Sequence, residues 1–393
     1  MPSKKREVSV ADRESATLAP VYGHLPFVPE HAEGCEIVTS DNRRILDLYG
    51  GHAVAALGYG HPVLTEAIAE QSRQLLFQSN AVALEIRASA TERLLAAAPR
   101  NLTRAFFVNS GAEANEIALR IALTSTGRKK VLAITHGFHG RTTAAAAATW
   151  NSAGRWYGFP RTPFDVGFIP RDDVAAARSM ITEDVAAVIF EPVQGIAGAY
   201  DLAADFVSAL RERTAACKSV LIADEVQSGM GRSGQYFACQ AYGIDPDILT
   251  NAKSLGGGMP CGVVLMTESL GGTLKVGDLG STFGGGPVAC AAILAVIDTI
   301  KKEALLANVC ARESEIRDLC MTGPVNAIRG KGLLLGLVCN RPAVEVRDRL
   351  LQRDILTGLS SDPQVLRLLP PLVLQSSHVH QLAAELDEIG SLR

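Results

Sequence analysis

From about residue 104 onward, short apolar runs alternate with helical stretches of ten to fifteen residues. Each apolar run is bounded by turn-forming or polar residues, and the runs that we predict to be strands are 104–108, 131–135, 186–190 and 220–223. The predicted helices between them include 112–124 and 203–217. Strands that are apolar throughout are usually covered on both faces. The alternation therefore predicts an α/β fold in which helices flank a mostly parallel central sheet on both sides.

The pattern changes after Pro287, where a long apolar helix over 288–302 leads into a more charged segment of helices and short strands. A chain of 393 residues is long enough for a large domain and a smaller one. We predict that the large domain covers residues 51–287. The smaller α+β domain is predicted to combine the N-terminal segment, residues 1–50, with the C-terminal segment, residues 288–393.

Composition argues against several classes of function. A net charge of −3 argues against a nucleic-acid partner, and the cluster Lys4-Lys5-Arg6 is predicted to be a solvated tail. Apolar runs such as 288–297 are too short to span a membrane, and the N terminus lacks the apolar stretch of a secretory peptide. Eight cysteines without a C-x-x-C pair predict reduced thiols in a cytoplasmic protein. No carboxylate or thiol is placed to join His378 and His380, so we predict no metal site.

Ligands of parallel sheets gather at the carboxyl ends of the strands, and the first predicted strand leads into Asn109-Ser110-Gly111-Ala112-Glu113. A glycine turn that opens a helix presents backbone N–H groups and the positive end of the helix dipole to an anion. Alternatively, Ser110 and Glu113 form an S-x-x-E capping box that needs no ligand. Both interpretations hold together if backbone groups bind the anion.

The next strands lead into two further polar segments. Gly137-Phe138-His139-Gly140-Arg141-Thr142 offers an aromatic ring for stacking on a flat ligand and an arginine for a carboxylate. A surface turn with Phe138 in the core is the alternative. Glu191-Pro192-Val193-Gln194-Gly195 follows the strand over 186–190.

Asp224 directly follows the strand over 220–223. An aspartate in that place is often a cap or a turn former. Beside a pyridine nitrogen, its charge would keep the nitrogen protonated, because opposite charges about 4 Å apart attract by roughly 4 kcal/mol at an effective dielectric constant of about 20. Val226 and Gln227 point to opposite sides of an extended chain, where they could press on the ring face and bond a ring hydroxyl.

Lys253 differs from most other lysines of the chain because uncharged residues surround it. Ile248, Leu249 and Ala252 precede it, and three glycines follow at 256–258. A partly desolvated lysine loses its proton more easily and can form an imine with an aldehyde. The alternative is a lysine that extends from a strand end to solvent.

Further on, Ser281 and Thr282 lie before a helix and predict either a second phosphate contact or a tight turn.

The order of these segments resembles the class III aminotransferases of the acetylornithine and ornithine type. The resemblance runs from Tyr22-Gly23, through 57–62, to the segment 367–372, and so covers nearly the whole chain. It implies a pyridoxal 5′-phosphate (PLP) enzyme with a large cofactor-binding domain. It also implies a homodimer whose active site is shared across the interface, and a role in arginine biosynthesis.

The resemblance also implies a role for each matching residue. Lys253 would be the catalytic residue that condenses with the cofactor carbonyl and later moves a proton between substrate and cofactor. Asp224 would hold the ring nitrogen and Gln227 the ring oxygen, with Phe138 and Val226 on the ring faces. The phosphate would bind Ser110, Gly111, Ala112 and Thr282 of the partner subunit, and His139 and Glu191 would complete the cofactor set. The substrate-binding residues would be Tyr22, Arg141, Ser281 and Arg367, the last of which would bind the 2-oxo acid carboxylate.

Two positions depart from the family pattern. Ile196 stands where the family usually has a glutamate that pairs with the arginine matching Arg367. An isoleucine cannot neutralise that arginine, so this chain must mask the charge differently or accept donors that bring a carboxylate. Gly286 replaces the usual asparagine of G-G-N-P. That change bears only on the geometry of the loop.

These residues predict ω-amino transfer from N-acetylornithine, or from a similar acyl-diamino acid, to 2-oxoglutarate. N-acetyllysine, ornithine and 4-aminobutyrate stay open as donors. A same-fold aminomutase or racemase is an alternative reaction, and Arg367 favours the transferase. An inactive cofactor-binding relative that acts through a protein partner is an alternative of another class, against which Lys253, Asp224 and Gln227 together argue.

Overall fold

The computed structural model describes residues 9–154 and 157–391. The basic cluster Lys4-Lys5-Arg6 lies outside the described residues. In chain order the strands are β1 (Pro29–Glu33), β2 (Glu36–Thr39), β3 (Arg44–Asp47), β4 (Leu102–Val108), β5 (Lys130–Ile134), β6 (Asp165–Ile169), β7 (Val185–Phe190), β8 (Val193–Gln194), β9 (Tyr200–Asp201), β10 (Val220–Asp224), β11 (Ile248–Asn251), β12 (Gly262–Thr267), β13 (Val325–Lys331), β14 (Leu334–Cys339), β15 (Ile355–Leu356), β16 (Gly358–Leu359) and β17 (Val365–Leu368).

The helices lie mainly between the strands of the central sheet and after them. In chain order they are α1 (Val10–Thr17), the short turn α2 (Gly50–Ala53), α3 (Pro62–Gln74), α4 (Glu85–Ala97), α5 (Gly111–Thr126), α6 (Thr143–Ala147), α7 (Val174–Met180), α8 (Ala204–Cys217), α9 (Ala238–Ala241), α10 (Glu268–Gly271), α11 (Pro287–Lys302), α12 (Leu305–Leu319), α13 (Ala343–Gln352) and α14 (Ser376–Ser391).

The central sheet has the strand order β4-β12-β11-β10-β7-β5-β6. β12 runs antiparallel to both of its neighbours, and the other pairs are parallel. This confirms the predicted α/β fold with a mostly parallel sheet. All four predicted strands are present as β4, β5, β7 and β10, with ends that differ by one or two residues. The antiparallel strand β12 lies beyond the segments from which the sheet was predicted.

Alternate residues of the middle strands enter two different cores. In β7, Ala187 and Ile189 belong to the apolar cluster that contains residues of α5, whereas Val188 and Phe190 belong to the cluster that contains residues of α8. Both faces of the strand are therefore buried, which is why its sequence is apolar throughout. Burying each large aliphatic side chain contributes roughly 1.5–3 kcal/mol. The two cores hold the strand ends, and with them the site, in fixed positions.

The two ends of the chain meet in one small sheet of order β1-β2-β3-β15. β15 pairs in parallel with β3, with Ile355 opposite Leu46. A second small sheet has the order β13-β14-β17-β16. The domain boundaries after residues 50 and 287 stay a prediction.

The apolar helix predicted over 288–302 is α11, which begins one residue earlier, at Pro287. Proline is favoured at the first helical position because its missing N–H has no intrahelical acceptor there. Over residues 9–154 and 157–391, no helix combines the length and apolar character needed to cross a bilayer. The same residues contain no group of three His, Cys, Asp or Glu side chains that could hold a metal ion.

Candidate active site

The carboxyl edge of the central sheet borders a cavity of about 510 Å³. The segments that follow β4, β5, β7, β10 and β11 all reach it, as expected for strands that end at one edge. The structure brings together eleven of the predicted site residues in the lining of this cavity: Ser110, Gly111, Ala112, Phe138, His139, Arg141, Glu191, Asp224, Val226, Gln227 and Lys253.

One end of the cavity is the N terminus of α5. The predicted capping box is present: the Ser110 hydroxyl accepts from the Glu113 N–H at 3.2 Å, and the Glu113 carboxylate accepts from the Ser110 N–H at 3.1 Å. The N–H groups of Gly111 and Ala112 belong to the first helical turn and have no intrahelical acceptor. A Cβ at Gly111 would lie 2.7 Å from the Val226 side chain, so only glycine fits there. The capping box is therefore present and leaves the N–H groups of Gly111 and Ala112 without an intrahelical acceptor, and the anion site stays a prediction.

The Asp224 carboxylate lies at the tip of β10 and is almost fully buried. Its Oδ2 accepts from Asn115 Nδ2 at 2.7 Å and lies 2.8 Å from His139 Nδ1. Its Oδ1 accepts from the Val226 N–H at 3.0 Å. Asn115 is itself held by a hydrogen bond from Thr250 at 2.7 Å. Since a carboxylate has about four lone-pair sites and three are occupied, the group is rigidly aimed and keeps acceptor capacity toward the cavity.

Glu191 holds two segments near the cavity through their backbone N–H groups. Its carboxylate accepts from the Phe138 N–H at 2.8 Å and from the Gly195 N–H at 3.3 Å. Burial raises the pKa of Glu191 to about 7, against the opposing effect of His139. A Cβ at Gly195 would overlap Gln227 Oε1, so the glycine leaves room for that side chain in its present position. That oxygen is buried and has no hydrogen-bond partner within the described part of the chain, which leaves it for a ligand.

Lys253 follows β11 by two residues and has a φ of 48°, in the left-handed region. Such a backbone is uncommon for a residue other than glycine and is found disproportionately at functional sites. Burial lowers the pKa of Lys253 to about 8, and the negative charges of Asp224 and Glu191 oppose this shift. About one amine in ten is then neutral at pH 7, compared with about one in 3,000 for an ordinary lysine. A neutral amine is the form that attacks a carbonyl.

A second cavity, of about 410 Å³, shares Phe138 and Arg141 with the first and reaches Arg367. Ile196 lines this second cavity. Arg367 lies in β17 and is 3% exposed. Its guanidinium donates to three neutral acceptors: Nε to the Leu359 carbonyl at 2.6 Å, Nη1 to the Gly195 carbonyl at 3.4 Å, and Nη2 to the Tyr49 hydroxyl at 3.0 Å.

Several residues that line or support the two cavities were not predicted from the sequence. Tyr49 contacts Arg367, and its hydroxyl lies 2.6 Å from His52 Nδ1. Asn115 orients Asp224 from one turn inside α5, and Trp150 lines the second cavity. The pair Gly50-Gly51 could have indicated an unusual turn beside Tyr49, because glycine is the default residue where φ is positive. Nothing in the sequence around Asn115 distinguishes it from an ordinary helical residue.

Three predicted residues lie outside both cavities. Tyr22 is 77% exposed, and Thr282 is exposed. The Ser281 hydroxyl accepts from Asn109 Nδ2 at 3.3 Å, and Asn109 lines the first cavity, so Ser281 lies one residue away from it. The roles of Tyr22, Ser281 and Thr282 stay predictions.

Known proteins resemble this chain over almost its whole length. The model of the family described as aminotransferase class-III matches residues 17–389. The acetylornithine aminotransferase of Streptomyces coelicolor is 41% identical over 377 residues, covering 93% of this chain and 91% of that protein. The acetylornithine aminotransferase of Methanopyrus kandleri is 38% identical over 369 residues, covering 93% of this chain and 94% of that protein.

Solved structures give the same result for the fold. The ornithine aminotransferase of Toxoplasma gondii, which holds PLP at partial occupancy, superposes with a TM-score of 0.90 at 25% identity, covering 97% of this chain and 94% of that one. The acetylornithine aminotransferase of Elizabethkingia anophelis superposes with a TM-score of 0.86 at 27% identity, covering 96% of this chain and 97% of that one.

Proposed function

The chain belongs to the class III aminotransferases, a PLP-dependent family of transaminases, and from this premise we propose that it transfers the terminal amino group of N-acetylornithine, or of a similar acyl-diamino acid, to 2-oxoglutarate. The products are the semialdehyde and glutamate. Curated relatives that carry the acetylornithine aminotransferase name at 36–41% identity support this substrate. The proposal places the reaction in arginine biosynthesis.

The residues present fit PLP at both of its polar ends. The N–H groups of Gly111 and Ala112 suit the phosphate, since a helix N terminus attracts anions. The buried, unpartnered Gln227 Oε1 suits the polar edge of the ring, and the remaining acceptor site of Asp224 suits a protonated ring nitrogen. When bound, PLP supplies a carbonyl that carries the amino group and a ring that withdraws electrons from the reacting carbon.

We assign the proton transfer to Lys253. Its Nζ is the base whose lowered pKa puts it near neutrality, and a base is most effective when its pKa is close to the working pH. Asp224 keeps a proton on the ring nitrogen, and its three hydrogen-bond donors keep the carboxylate from turning away. Glu191 holds the Phe138 and Gly195 backbones, and the segments bordering the cavity stay in place.

One observation carries the choice of substrate class: two arginines border the two cavities, which share lining residues. Arg141 lines both cavities, whereas Arg367 lines only the second. A guanidinium grips a carboxylate with two parallel hydrogen bonds. We assign the α-carboxylate of the donor to Arg141 and a carboxylate of 2-oxoglutarate to Arg367. Ile196, in the same cavity, adds no charge that would compete.

We further infer a homodimer in which Thr282 of the partner subunit binds the phosphate. In support, the segment around Thr282 is exposed and apolar: Phe283 is 65% exposed and Phe77 is 42% exposed, with their ring centroids 5.3 Å apart. Apolar side chains exposed together favour burial in an interface. Sedimentation at micromolar concentration is expected to give a dimer, and a monomer with full activity would contradict this inference.

A donor screen tests the substrate proposal. Purified enzyme with PLP and 2-oxoglutarate is supplied in turn with N-acetylornithine, ornithine, N-acetyllysine and 4-aminobutyrate, and glutamate formation is measured. We expect the highest kcat/KM for N-acetylornithine. A higher value for 4-aminobutyrate, whose carboxylate lies one carbon closer to the reacting amine and which is not a diamino acid, would contradict the choice of donor. If a donor is converted without 2-oxoglutarate being consumed, the reaction is a mutase and the proposal is wrong.

A further inference from the structure

The Arg367 guanidinium is a buried cation whose hydrogen-bond acceptors are all neutral. Two of them, the Leu359 and Gly195 carbonyls, are backbone groups, and the third is the Tyr49 hydroxyl. A buried charge is normally paired with an opposite charge. Burial lowers the pKa of Arg367, although an arginine stays protonated throughout the range in which proteins are folded. Its positive charge therefore has to be stabilised by dipoles until a ligand arrives.

The hydrogen-bond directions around Tyr49 follow from the chemistry of arginine. Because a guanidinium only donates, the Tyr49 oxygen accepts from Arg367 Nη2 at 3.0 Å. The Tyr49 proton is then free to go to His52 Nδ1, which lies 2.6 Å away. When Tyr49 donates there, His52 accepts at Nδ1, carries its own proton on Nε2 and has a neutral ring. This tautomer gives the Tyr49 hydroxyl one orientation, with its lone pairs toward Arg367.

The electrostatics agree with this arrangement. Burial and the positive charges of Arg367, Lys253 and Arg141 lower the pKa of His52 to about 4. Burial also raises the pKa of Tyr49, although Arg367 opposes that shift. At neutral pH both groups are therefore uncharged, and the pair gives Arg367 a polarised but neutral partner.

A strained turn holds Tyr49 and His52 in position. Gly50, Gly51, His52 and Ala53 all have positive φ, between 54° and 66°. For a residue with a side chain, this left-handed conformation costs roughly 1–2 kcal/mol. The buried Asp47 carboxylate stabilises the turn by accepting from the Tyr49 N–H at 2.7 Å and the Gly50 N–H at 3.0 Å. Strain of this kind, maintained by a buried carboxylate, is typical of a site where a side chain must be aimed.

The turn is also tied to the residue that holds the cofactor. The Ser254 hydroxyl donates to the Ala53 carbonyl at 2.7 Å, and Ser254 directly follows Lys253. The Tyr49 ring lies beside Arg367, whose guanidinium carbon is 5.5 Å from the ring centroid. Tyr49 therefore links the cofactor end of the site to the carboxylate-binding end.

We propose that Tyr49 is a positioning residue for the oxo-acid carboxylate: its hydroxyl, oriented by His52, holds the Arg367 guanidinium with two N–H groups left for the two oxygens of a carboxylate. Of the five N–H groups of an arginine, three are used by the neutral acceptors, and the remaining two are on Nη1 and Nη2. No carboxylate of the described chain has to leave Arg367 before the acceptor binds. For the identity of the acceptor, this inference rests on the proposed function.

Tyr49→Phe tests the inference because it keeps the ring and removes only the hydroxyl. Two quantities are measured: the affinity of the loaded enzyme for glutarate, a dicarboxylate that cannot react, by calorimetry, and KM for 2-oxoglutarate and for the amino donor. Hydrogen bonds to charged groups change binding by about tenfold or more. We expect glutarate to bind about tenfold more weakly and KM for 2-oxoglutarate to rise by a similar factor, with KM for the donor and kcat within about twofold.

His52→Asn tests the contact between Tyr49 and His52, which orients the Tyr49 hydroxyl. Asparagine tolerates positive φ, so the turn is retained while the acceptor for the Tyr49 proton is lost or displaced. We expect a loss of glutarate affinity in the same direction, about threefold, because Tyr49 is still present but less well oriented. Tyr242→Phe is the matched control, since it also removes a partly buried hydroxyl, one that donates to the Pro192 and Leu202 carbonyls. This control is expected to leave glutarate affinity unchanged.

Glutarate affinity equal to wild type in Tyr49→Phe would overturn the inference, and so would an equal rise of both KM values, which a merely structural role would cause. The proposed function can fail separately. If wild-type enzyme does not use N-acetylornithine but binds glutarate, and Tyr49→Phe weakens that binding, the donor assignment is wrong and the role of Tyr49 stands. If wild-type enzyme does not bind glutarate, the assignment of a carboxylate to Arg367 is wrong and the inference is overturned with it.

Discussion

Lys253, Asp224 and Glu191 lie at or just beyond the ends of neighbouring strands of one sheet, whereas Arg367, Tyr49 and Ile196 come from distant segments of the chain. At the cofactor end, the Asp224 carboxylate is held by the side chains of Asn115 and His139. At the substrate end, Arg367 is held by neutral oxygens alone. This difference is consistent with the proposed function, in which one end holds a resident cofactor and the other binds ligands that supply the missing charge in turn.

Lys253→Ala should have the largest effect, because it removes the amine that captures the carbonyl and moves the proton. We expect turnover to fall by at least about 10⁴-fold and the purified protein to lack the yellow colour of bound PLP. Absorbance and glutamate formation check this, with an unchanged melting temperature showing that the fold is intact. A fully coloured variant with normal turnover would refute the assignment of Lys253.

Asp224→Asn should be next, because the side chain keeps its shape and loses the charge opposite the ring nitrogen. We expect kcat to fall by about 10²–10³-fold. Asp247→Asn is the matched control, since Asp247 also caps the edge of the central sheet but accepts from Arg211 and the Leu221 N–H, away from the cavity. Equal losses in both variants would show that Asp224 acts through stability alone.

The two ends of the site could be predicted to different degrees from the sequence. Asp224 directly follows the predicted strand over 220–223, so its placement at the carboxyl edge is a local inference. Lys253 was singled out by its uncharged surroundings, and β11, the strand that places it at this edge, was not among the predicted strands. Ser110 was predicted both as a cap and as part of an anion site, and the structure shows the cap with the N–H groups of Gly111 and Ala112 beyond it. Here the sequence pattern was sufficient for the cap, and the anion site stays a prediction.

The contact between Tyr49 and Arg367 could not be predicted in this way. It joins residues 318 positions apart, and the hydroxyl is aimed by a turn whose positive φ values include two residues other than glycine. Propensity favours neither His52 nor Ala53 in that conformation, so tertiary contacts override the local preference. Arg367 itself entered only through the family resemblance, and sequence reasoning left open how its charge is masked.

Arg367→Lys tests the substrate end of the site separately from the cofactor end. A lysine keeps the charge but loses the planar fork that fits a carboxylate. We expect kcat/KM for 2-oxoglutarate to fall by about 30-fold, with the donor half of the reaction nearly unchanged. The two half-reactions are measured separately, by single-turnover absorbance changes first with the amino donor alone and then with the oxo-acid acceptor alone. A slower donor half with a normal acceptor half would reverse the assignment of the two arginines.

The pH dependence of cofactor capture tests the cofactor end alone. Only the neutral Lys253 amine attacks a carbonyl, and its pKa is lowered to about 8 by burial. The rate at which apoenzyme captures PLP should therefore rise about tenfold from pH 6 to pH 7 and level off above pH 8. Capture by N-α-acetyllysine in solution is the control, and its rate should keep rising beyond pH 8. A parallel profile for the two amines would show that Lys253 is not perturbed.

Gly51→Ala should have the smallest effect, and it tests the turn at the substrate end. A Cβ at Gly51 meets nothing within 4 Å, so the cost comes only from its φ of 56°. We expect the free energy of unfolding to fall by about 1 kcal/mol, measured by urea titration. Gly154 also has open space around a Cβ and lacks a positive φ, so Gly154→Ala should not destabilise the protein. Equal results for the two variants would mean that the turn is not strained.

The pairing of β3 with β15 has a consequence for biosynthesis of the enzyme. Leu46 and Ile355 are neighbours in one sheet, and Arg43 binds Asp354 across the same junction. A ribosome working from the N terminus releases Tyr49 long before the strands on which it depends. The last strand of the central sheet, β12, is translated before Arg367. The contact between Tyr49 and Arg367 therefore forms only at the end of synthesis, when the first and last segments of the polypeptide pair with each other.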